Sequence, residues 1–451
     1  MSLPLSLSQI ADVLGCDTPI VDVAITGTAI DSRKVFLGSL FVAIAGERVD
    51  GHDYIAAARK AGASAALVSV KQHDPLPQLV VADVVKAFAA LATFWRQQSH
   101  ARIVAVTGSN GKTSVKEMIA AILRQSGNVI ATQGNLNNDL GVPLTLTRLT
   151  ALTDFAVIEM GASRRGDILR LVEMAQPQFS LINNVGPAHL EGFGDLMGVA
   201  KAKAEIYYGL TDDGVGVINA DMDFVDAWKE VLANRKSLSF ALDNDADITA
   251  KDLQMDTSSS HFMVELAGEF HYINVPLPGR HNVANALAAI TITHAMGISA
   301  EAMVKGLASV AAVPHRLQLR KGLNQSQLID DSYNANPGSY KQALATLATF
   351  SGQHWLVLGD FGELGADSEQ LHSQMGVDAK SAGVKRLWTV GVQSKNACET
   401  FGAGAQHFDD VAALETVLKQ TITQDVTCLI KGSRFMQLDK LADSLAQEDK
   451  A

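Results

Sequence analysis

The chain has 451 residues, of which 47% are hydrophobic and 19% charged, and its formal net charge is −11. That length suits about three domains with real cores, and the negative balance leaves no basic footprint for nucleic acid. The three cysteines, Cys16, Cys398 and Cys428, have no disulfide or metal spacing, no apolar run is long enough to span a bilayer, and the first cation is Arg33. The expectation is a cytoplasmic protein without signal peptide or membrane segment.

The first ~80 residues read as a small α/β unit. Leu40-Phe41-Val42-Ala43-Ile44 and Ala65-Ala66-Leu67-Val68 are predicted strands, and Tyr54-Ile55-Ala56-Ala57-Ala58-Arg59-Lys60 a helix stopped by Gly62. Asp74-Pro75-Leu76-Pro77 marks a loop near the boundary, and helix signals over 87–95 lead onward. Strands then alternate with helices. Ile103-Val104-Ala105-Val106, Phe155-Ala156-Val157-Ile158 and Phe179-Ser180-Leu181-Ile182 are short apolar runs of the kind found in a parallel sheet. Ligands bind such sheets beyond the carboxyl ends of the strands, where Glu159 and Asn183-Asn184 fall. Near Val313-Pro314 the pattern restarts. Strands through Trp355-Leu356-Val357-Leu358, Leu387-Trp388-Thr389-Val390 and Cys428-Leu429-Ile430, with a helix over 340–350, predict a Rossmann-like unit. The fold class expected is α/β in three domains. These are an N-terminal substrate domain at 1–82, a central mononucleotide-binding parallel sheet at 83–313, and a C-terminal Rossmann-like domain at 314–451.

The chemistry starts at Thr107-Gly108-Ser109-Asn110-Gly111-Lys112-Thr113-Ser114. A strand enters this loop, two glycines let the backbone curl around phosphate, and the following helix aims its N-terminal amides at the anion. Lys112 is placed to reach the β/γ-phosphates of ATP and the Thr113 hydroxyl to ligate Mg²⁺. The spacing is shorter than the full Walker pattern, with Val106 where its first glycine would stand. Glu159 at a strand end beside the loop is a candidate oxygen ligand for the same metal. His189, in the loop after Ile182, is a candidate metal or catalytic histidine. Lys201 and Lys203 lie two apart on a predicted helix, so only one of them can face the site. Asn282 and Asn285, one turn apart after Gly279, can direct two amides at an adenine edge. Asp330-Asp331-Ser332-Tyr333-Asn334-Ala335-Asn336-Pro337 reads as a polar turn after the strand Gln327-Leu328-Ile329, and Arg316 sits at the junction of the second and third units.

Taken together and in this order, these segments resemble the Mur ligase family of ATP-dependent amide-forming enzymes over essentially the whole chain. The resemblance implies an ATP loop at 107–114, metal ligation by Glu159 and His189, and a carbamylated lysine at Lys203 rather than Lys201. It also implies nucleotide contacts from Asn282, Asn285, Arg316 and Asp331, and two Mg²⁺ ions. Asp31-Ser32-Arg33-Lys34-Val35 and Asp50-Gly51-His52 resemble a uridine-nucleotide-binding domain, which makes Ser32, Arg33, Asp50 and His52 candidate substrate contacts and argues against the folylpolyglutamate synthase branch. The segments 108–118, 183–191 and 331–337 are most similar to the branch that joins D-alanyl-D-alanine to UDP-N-acetylmuramoyl-tripeptide. The Asp-Asn-Pro-Arg motif of the diaminopimelate-adding branch does not occur, and Phe361 stands where a methionine is usual.

The implied partners are those two substrates, acting on a monomer. The implied reaction passes through an acyl phosphate, with Lys112, Lys203 and His189 as catalytic residues and the third domain closing Arg316 and Asp331 onto ATP. Ser433 and Arg434 are further candidate contacts. The competing readings are another ligase of this type that adds a single amino acid, and a P-loop NTPase that couples hydrolysis to motion.

Overall fold

The structure is a computed structural model that describes residues 3–18, 21–187 and 190–447. A seven-stranded parallel sheet occupies its centre, in the order Ile248–Thr249, Lys236–Ala241, Val215–Asn219, Phe179–Ile182, Arg102–Thr107, Phe155–Glu159, Val129–Ala131. The strands are apolar on both faces because helices cover both. Ile103, Ala105, Ala156 and Ile158 pack into a core with Phe88, Leu91 and Trp95 of the helix Val84–Gln97. Val104, Val106 and Val157 alternate with them and pack into a second core with the helices Lys112–Leu123 and Arg280–Ala295. From Arg102–Thr107 the chain runs first to one side of the sheet and, at Phe179–Ile182, to the other. The loops after these two strands therefore diverge over one crevice at the carboxyl edge.

Two smaller sheets flank this one. At the N-terminal end Gly27–Ala29, Ser39–Val42, Ala65–Val68 and Gln78–Val80 form a parallel sheet. The helix Ile55–Ala61 stops at Gly62, whose φ of 106 closes the last turn. Thr28 and Thr147 share a hydrogen bond of 2.6 Å between hydroxyls, and one core runs from Leu7 to Trp228, so this unit packs on the central one. At the other end Val426–Lys431, Gln353–Gly359, Arg386–Val390 and Ala405–Phe408 are parallel, Gln327–Asp331 adds to them, and Gln318–Lys321 is an antiparallel edge.

Two features depart from the sequence reading. Lys251–Met255, Ser260–Leu266 and Glu269–Val275 form a three-stranded antiparallel sheet that buries Phe262, Val264, Ile273 and Val275 against the second core. Its period-2 burial is weakly written, because the outward positions include Phe270 and Tyr272. Asp330 and Asp331 belong to a strand rather than to a polar turn. Their carboxylates are buried because each meets a cation: Asp330 meets Arg320 at 3.0 Å, with His315 Nδ1 at 2.9 Å beside it, and Asp331 meets Lys431, its register partner on the next strand. Among the described residues no helix is long and apolar enough to cross a membrane.

Candidate active site

A cleft of about 1620 Å³ opens over the carboxyl edge of the central sheet and is walled on its far side by the C-terminal unit. The loop Gly108-Ser109-Asn110-Gly111-Lys112 and Ser114 line it, together with Glu159, Lys203, Asn282, Asn285, Arg316 and Asp331. Gly111 is the N-cap of the helix Lys112–Leu123, with φ 74; a Cβ there would stand 2.6 Å from Asn285 Oδ1, so only glycine fits. The loop is braced from behind by two asparagines. Asn184 clamps Asn110, accepting from its N–H at 2.8 Å and donating to its carbonyl at 3.0 Å. Asn183 donates to the same carbonyl at 3.0 Å and to Asn285 Oδ1 at 2.9 Å. Ser109 exchanges hydrogen bonds with the backbone of Gly186 at 3.0 and 2.9 Å. The phosphate loop thus leans on the loop that follows the neighbouring strand, which already engages the amides of Ser109 and Asn110.

Lys112 Nζ donates to the carbonyl of Gly108 at 2.8 Å. Burial lowers its pKa, Glu159 raises it, and Arg316 across the cleft lowers it again. Thr113 lies behind the lining, 6% exposed, and its hydroxyl donates to Glu159 Oε2 at 2.9 Å. Glu159 is 2% exposed, and its other oxygen accepts from Asn137 Nδ2 at 2.8 Å. A hydroxyl and a carboxylate are hard oxygen donors. Side by side at the edge of the cleft, they are the donor chemistry that Mg²⁺ prefers, so the residues present fit that ion.

Lys203 is 3% exposed, lines the cleft and makes no hydrogen bond or ion pair with a described residue, whereas Lys201 on the same helix, Leu196–Tyr208, faces solvent. Burial, and then the charge of Lys112, push the Lys203 pKa well below the ordinary lysine range. The amine is therefore driven toward its neutral, nucleophilic form. His189 lies outside the described residues.

Asn282 and Asn285 both reach the cleft, but the protein already engages them. Asn282 Nδ2 donates to Pro278 O at 2.8 Å, and Asn285 accepts from Asn183 while donating weakly to Asn282 at 3.4 Å. Asn285 thus braces the loop at Gly111, in place of the free amide pair the spacing suggested. His281 beside them also lines the cleft, and burial holds its pKa down at about 4. From the C-terminal unit, Asn336 caps the helix Pro337–Leu347 and donates to Asn110 Oδ1 at 2.7 Å, a direct contact between that unit and the phosphate loop. Asp331 accepts from Lys431 and from Leu317 N at 3.2 Å; burial raises its pKa and Lys431 lowers it.

The N-terminal candidates stand apart from this cleft. Ser32 opens a short 3₁₀ turn capped by Asp31, and Arg33, with an exposed side chain, forks onto Asp31 at 2.9 and 2.8 Å. Asp50 accepts from His52 N at 2.9 Å and Nδ1 at 2.6 Å, while His52 Nε2 accepts from Ser69 N at 3.0 Å. Both ring nitrogens of the buried His52 are therefore occupied within the protein, so it braces the turn against Ser69, with Arg33 and Asp50 as the exposed groups. His315, Asp330 and Asp443 also converge, but the Arg320 guanidinium bridges the two carboxylates at 3.0 and 2.7 Å, making an ion-pair network rather than a metal centre.

Sequence reasoning placed Asn183 and Asn184 at the ligand-binding edge without a task, and it gave Asn137 and Asn336 no site role. Each asparagine lies directly after an apolar strand or beside the phosphate loop, a cluster of amides that turn chemistry alone does not require.

Comparison with known proteins finds relatives over the whole chain. The Mur ligase family, catalytic domain matches residues 24–125, the Mur ligase middle domain 106–293, and the Mur ligase, glutamate ligase domain 315–434. The UDP-N-acetylmuramoyl-tripeptide–D-alanyl-D-alanine ligase of Escherichia coli (strain K12) is 44% identical over 448 residues, 99% of each chain. That of Bacillus subtilis (strain 168) is 33% identical over 436 residues, 94% of this chain and 93% of its own. Among solved structures, MurF from Acinetobacter baumannii superposes with a TM-score of 0.90 at 32% identity over 98% of both chains. MurF ligase from Thermotoga maritima in complex with ADP gives 0.81 at 27% identity, covering 93% of this chain and 96% of that one. With three family domains matched in order and relatives aligned end to end, the chain belongs to the Mur ligase family.

Proposed function

We propose that the chain joins D-alanyl-D-alanine to UDP-N-acetylmuramoyl-tripeptide at the expense of ATP, a step of peptidoglycan precursor synthesis, and that it does so as a cytoplasmic monomer. The observation that carries the reading is one cleft in which a glycine-rich loop with Lys112, the oxygen pair Thr113–Glu159 and the buried amine of Lys203 face Arg316 and Asp331 of another unit. A simple hydrolase needs only the loop and the metal ligands. The facing wall and the buried amine fit a reaction that joins two further substrates away from water.

In the reaction, a carboxylate oxygen of the tripeptide attacks the γ-phosphorus of ATP, and the bond to the bridging oxygen breaks, giving an acyl phosphate and ADP. The dipeptide amine then attacks the acyl carbon, phosphate leaves, and the nitrogen loses a proton. The physical obstacle is the approach of two anions. Lys112, freed from Gly108 O by the triphosphate, places a cation at the β/γ-phosphates, and Arg316 supplies a second from the opposite wall. Thr113 and Glu159 would hold Mg²⁺, which when bound screens charge on the phosphate oxygens. A neutral Lys203 amine that takes up CO₂ and releases a proton becomes a carbamate, an oxygen ligand for a second ion. Holding both substrates in one cleft supplies further rate, since effective molarities reach about 10⁵–10⁸ M.

The domain limits that go with this reading are 1–82 for the UDP-substrate, 83–313 for ATP and 314–451 for the dipeptide and closure. Ser32, Arg33 and Asp50 belong to the first, with His52 as the support beneath them, and Asn282, Asn285 and Asp331 flank the nucleotide.

The test is phosphate release with each substrate alone and with both. Release only when the UDP-tripeptide and D-alanyl-D-alanine are both present is expected. Release with neither would return the chain to a motor-like or regulatory NTPase, and release with a single amino acid in place of the dipeptide would move it to another ligase step.

A further inference from the structure

We infer that Tyr333 is a positioning residue for the ligation: its ring is a platform that holds the guanidinium groups of Arg316 and Arg434 in the cleft where the two anionic substrates meet. The inference rests on the ligase reading above and assigns a residue that the ATP and metal machinery leaves without a task.

Three separate segments bring these side chains together. Arg316 comes from the linker before Gln318–Lys321, Tyr333 from just after Gln327–Asp331, and Arg434 from the turn after Val426–Lys431. The Arg316 Cζ lies 4.2 Å from the centroid of the Tyr333 ring and the Arg434 Cζ 5.3 Å from it, within cation–π range, and all three residues line the cleft. Arg434 is also tied to Asp439 at 2.7 Å. Arg316 makes no ion pair and no side-chain hydrogen bond with a described residue, so the ring is what orients it. A neutral aromatic face is suited to that task. It fixes a guanidinium plane without neutralising the charge, and it leaves the N–H donors free for a phosphate or carboxylate. A carboxylate in its place would compete with the substrate.

The backbone is arranged to the same end. His315 and Leu317, on either side of Arg316, both have left-handed φ values of 61 and 46, which a non-glycine residue adopts only when its surroundings impose them. The surroundings are the same segment: Tyr333 N donates to His315 O at 3.0 Å, and Asp331 Oδ1 accepts from Leu317 N at 3.2 Å. One residue therefore pins the linker through its main chain and aims the linker's arginine through its ring. The Tyr333 hydroxyl makes no hydrogen bond with a described residue, so the face and not the phenol is the working part.

The experiment is steady-state phosphate release and ADP titration calorimetry on the full chain and on Tyr333→Leu, Tyr333→Phe, Arg316→Ala and the double variant Arg316→Ala/Tyr333→Leu, with Tm recorded for each. Unmodified protein that releases phosphate only with both substrates upholds the ligase reading, and failure there is separate from failure of the platform. Tyr333→Leu is expected to lose roughly ten-fold in kcat, the order of one desolvated cation–π contact. Tyr333→Phe stays within about two-fold of the unmodified rate. ADP affinity in Tyr333→Leu is expected to fall no further than in Arg316→Ala, because the ring reaches the nucleotide only through that arginine, and a larger fall overturns the platform. The double variant is expected to be scarcely slower than Arg316→Ala alone, the signature of a residue acting through another. An unmodified kcat in Tyr333→Leu overturns the platform. So does a Tyr333→Phe as slow as Tyr333→Leu, or losses that multiply in the double variant. Should Tyr333→Leu melt early, Tyr333→Met, which fills the volume with a flexible apolar chain, carries the same expectations.

Discussion

Lys112 and Lys203 are two buried amines in one cleft, and the structure separates their tasks. Lys112 is tethered to its own loop at 2.8 Å, and the charge of Glu159 opposes the lowering of its pKa that burial imposes. Lys203 has no such partner and is driven toward neutrality. Replacing Lys112 by Ala is expected to remove turnover by several orders of magnitude, with a melting temperature close to that of the unmodified protein; a retained rate in the phosphate assay would contradict the loop assignment. Lys203→Ala is expected to be nearly inactive and partly restored by short carboxylic acids, which can supply the missing anion, while the exposed Lys201→Ala keeps its rate. A result the other way round would place the reactive amine on the wrong face of the helix. For Thr113 and Glu159 the readout is the metal: Glu159→Gln should raise the Mg²⁺ concentration for half-maximal rate by about ten-fold or more, and an unchanged requirement would free this pair from that role. Lys112, Thr113 and Glu159 were legible in the sequence because each has a fixed offset from a strand end, and Lys203 through the resemblance to Mur ligases. What spacing could not supply was exposure, and exposure is what separates Lys203 from Lys201.

At the level of elements, the helix Arg280–Ala295 shows how a structural choice becomes a pH response. His281 lies in its first turn, where burial opposes a positive charge, and its pKa falls to about 4 from an ordinary value near 6.5. With a folded pKa below the unfolded one, the stabilising contribution is complete above about pH 6.5 and is lost as pH falls through about 4. Acid unfolding followed by circular dichroism should show this: His281→Gln is expected to lessen the loss of stability between pH 7 and pH 4, by up to about 3 kcal/mol. An identical acid limb in both proteins would show that the imidazole is not shielded. The elements themselves were mostly readable. The apolar runs at 103–106, 155–158 and 179–182 lie within strands, and Gly62 ends its helix. The strand ends were less readable. Asp330 and Asp331 look like turn residues, and only the cations Arg320 and Lys431, far away in sequence, allow them to finish a buried strand. Phe361, in the position of a more usual methionine, is 2% exposed and packs edge-on to Tyr340, so that departure is absorbed within the core.

For the whole molecule, the contact that matters is the meeting of the C-terminal unit with the phosphate loop. Asn336 reaches Asn110 at 2.7 Å, and Gly338 follows so closely that a Cβ on it would stand 3.1 Å from Asn110 Nδ2. Closure onto the nucleotide is expected to tighten this meeting. X-ray scattering should report a smaller radius of gyration with nucleotide and UDP-tripeptide bound together than with either alone. Asn336→Ser keeps a good helix cap but is too short to reach Asn110, and should weaken that compaction. Unchanged scattering curves in all states would contradict closure.

The sequence by itself determined the α/β class, the order of the three units and the phosphate loop, because those follow from local periodicity and fixed spacing, and its resemblance to Mur ligases supplied the ligase roles. Only the tertiary structure decided which lysine is buried and that Asn183, Asn184 and Asn285 brace the loop from behind. It alone also showed that His52 is held between Asp50 and Ser69 and that Tyr333 gathers two arginines. The reason is that hydrogen bonds, desolvation and stacking depend on which distant segments the sheet brings within a few ångströms, and no local pattern records that.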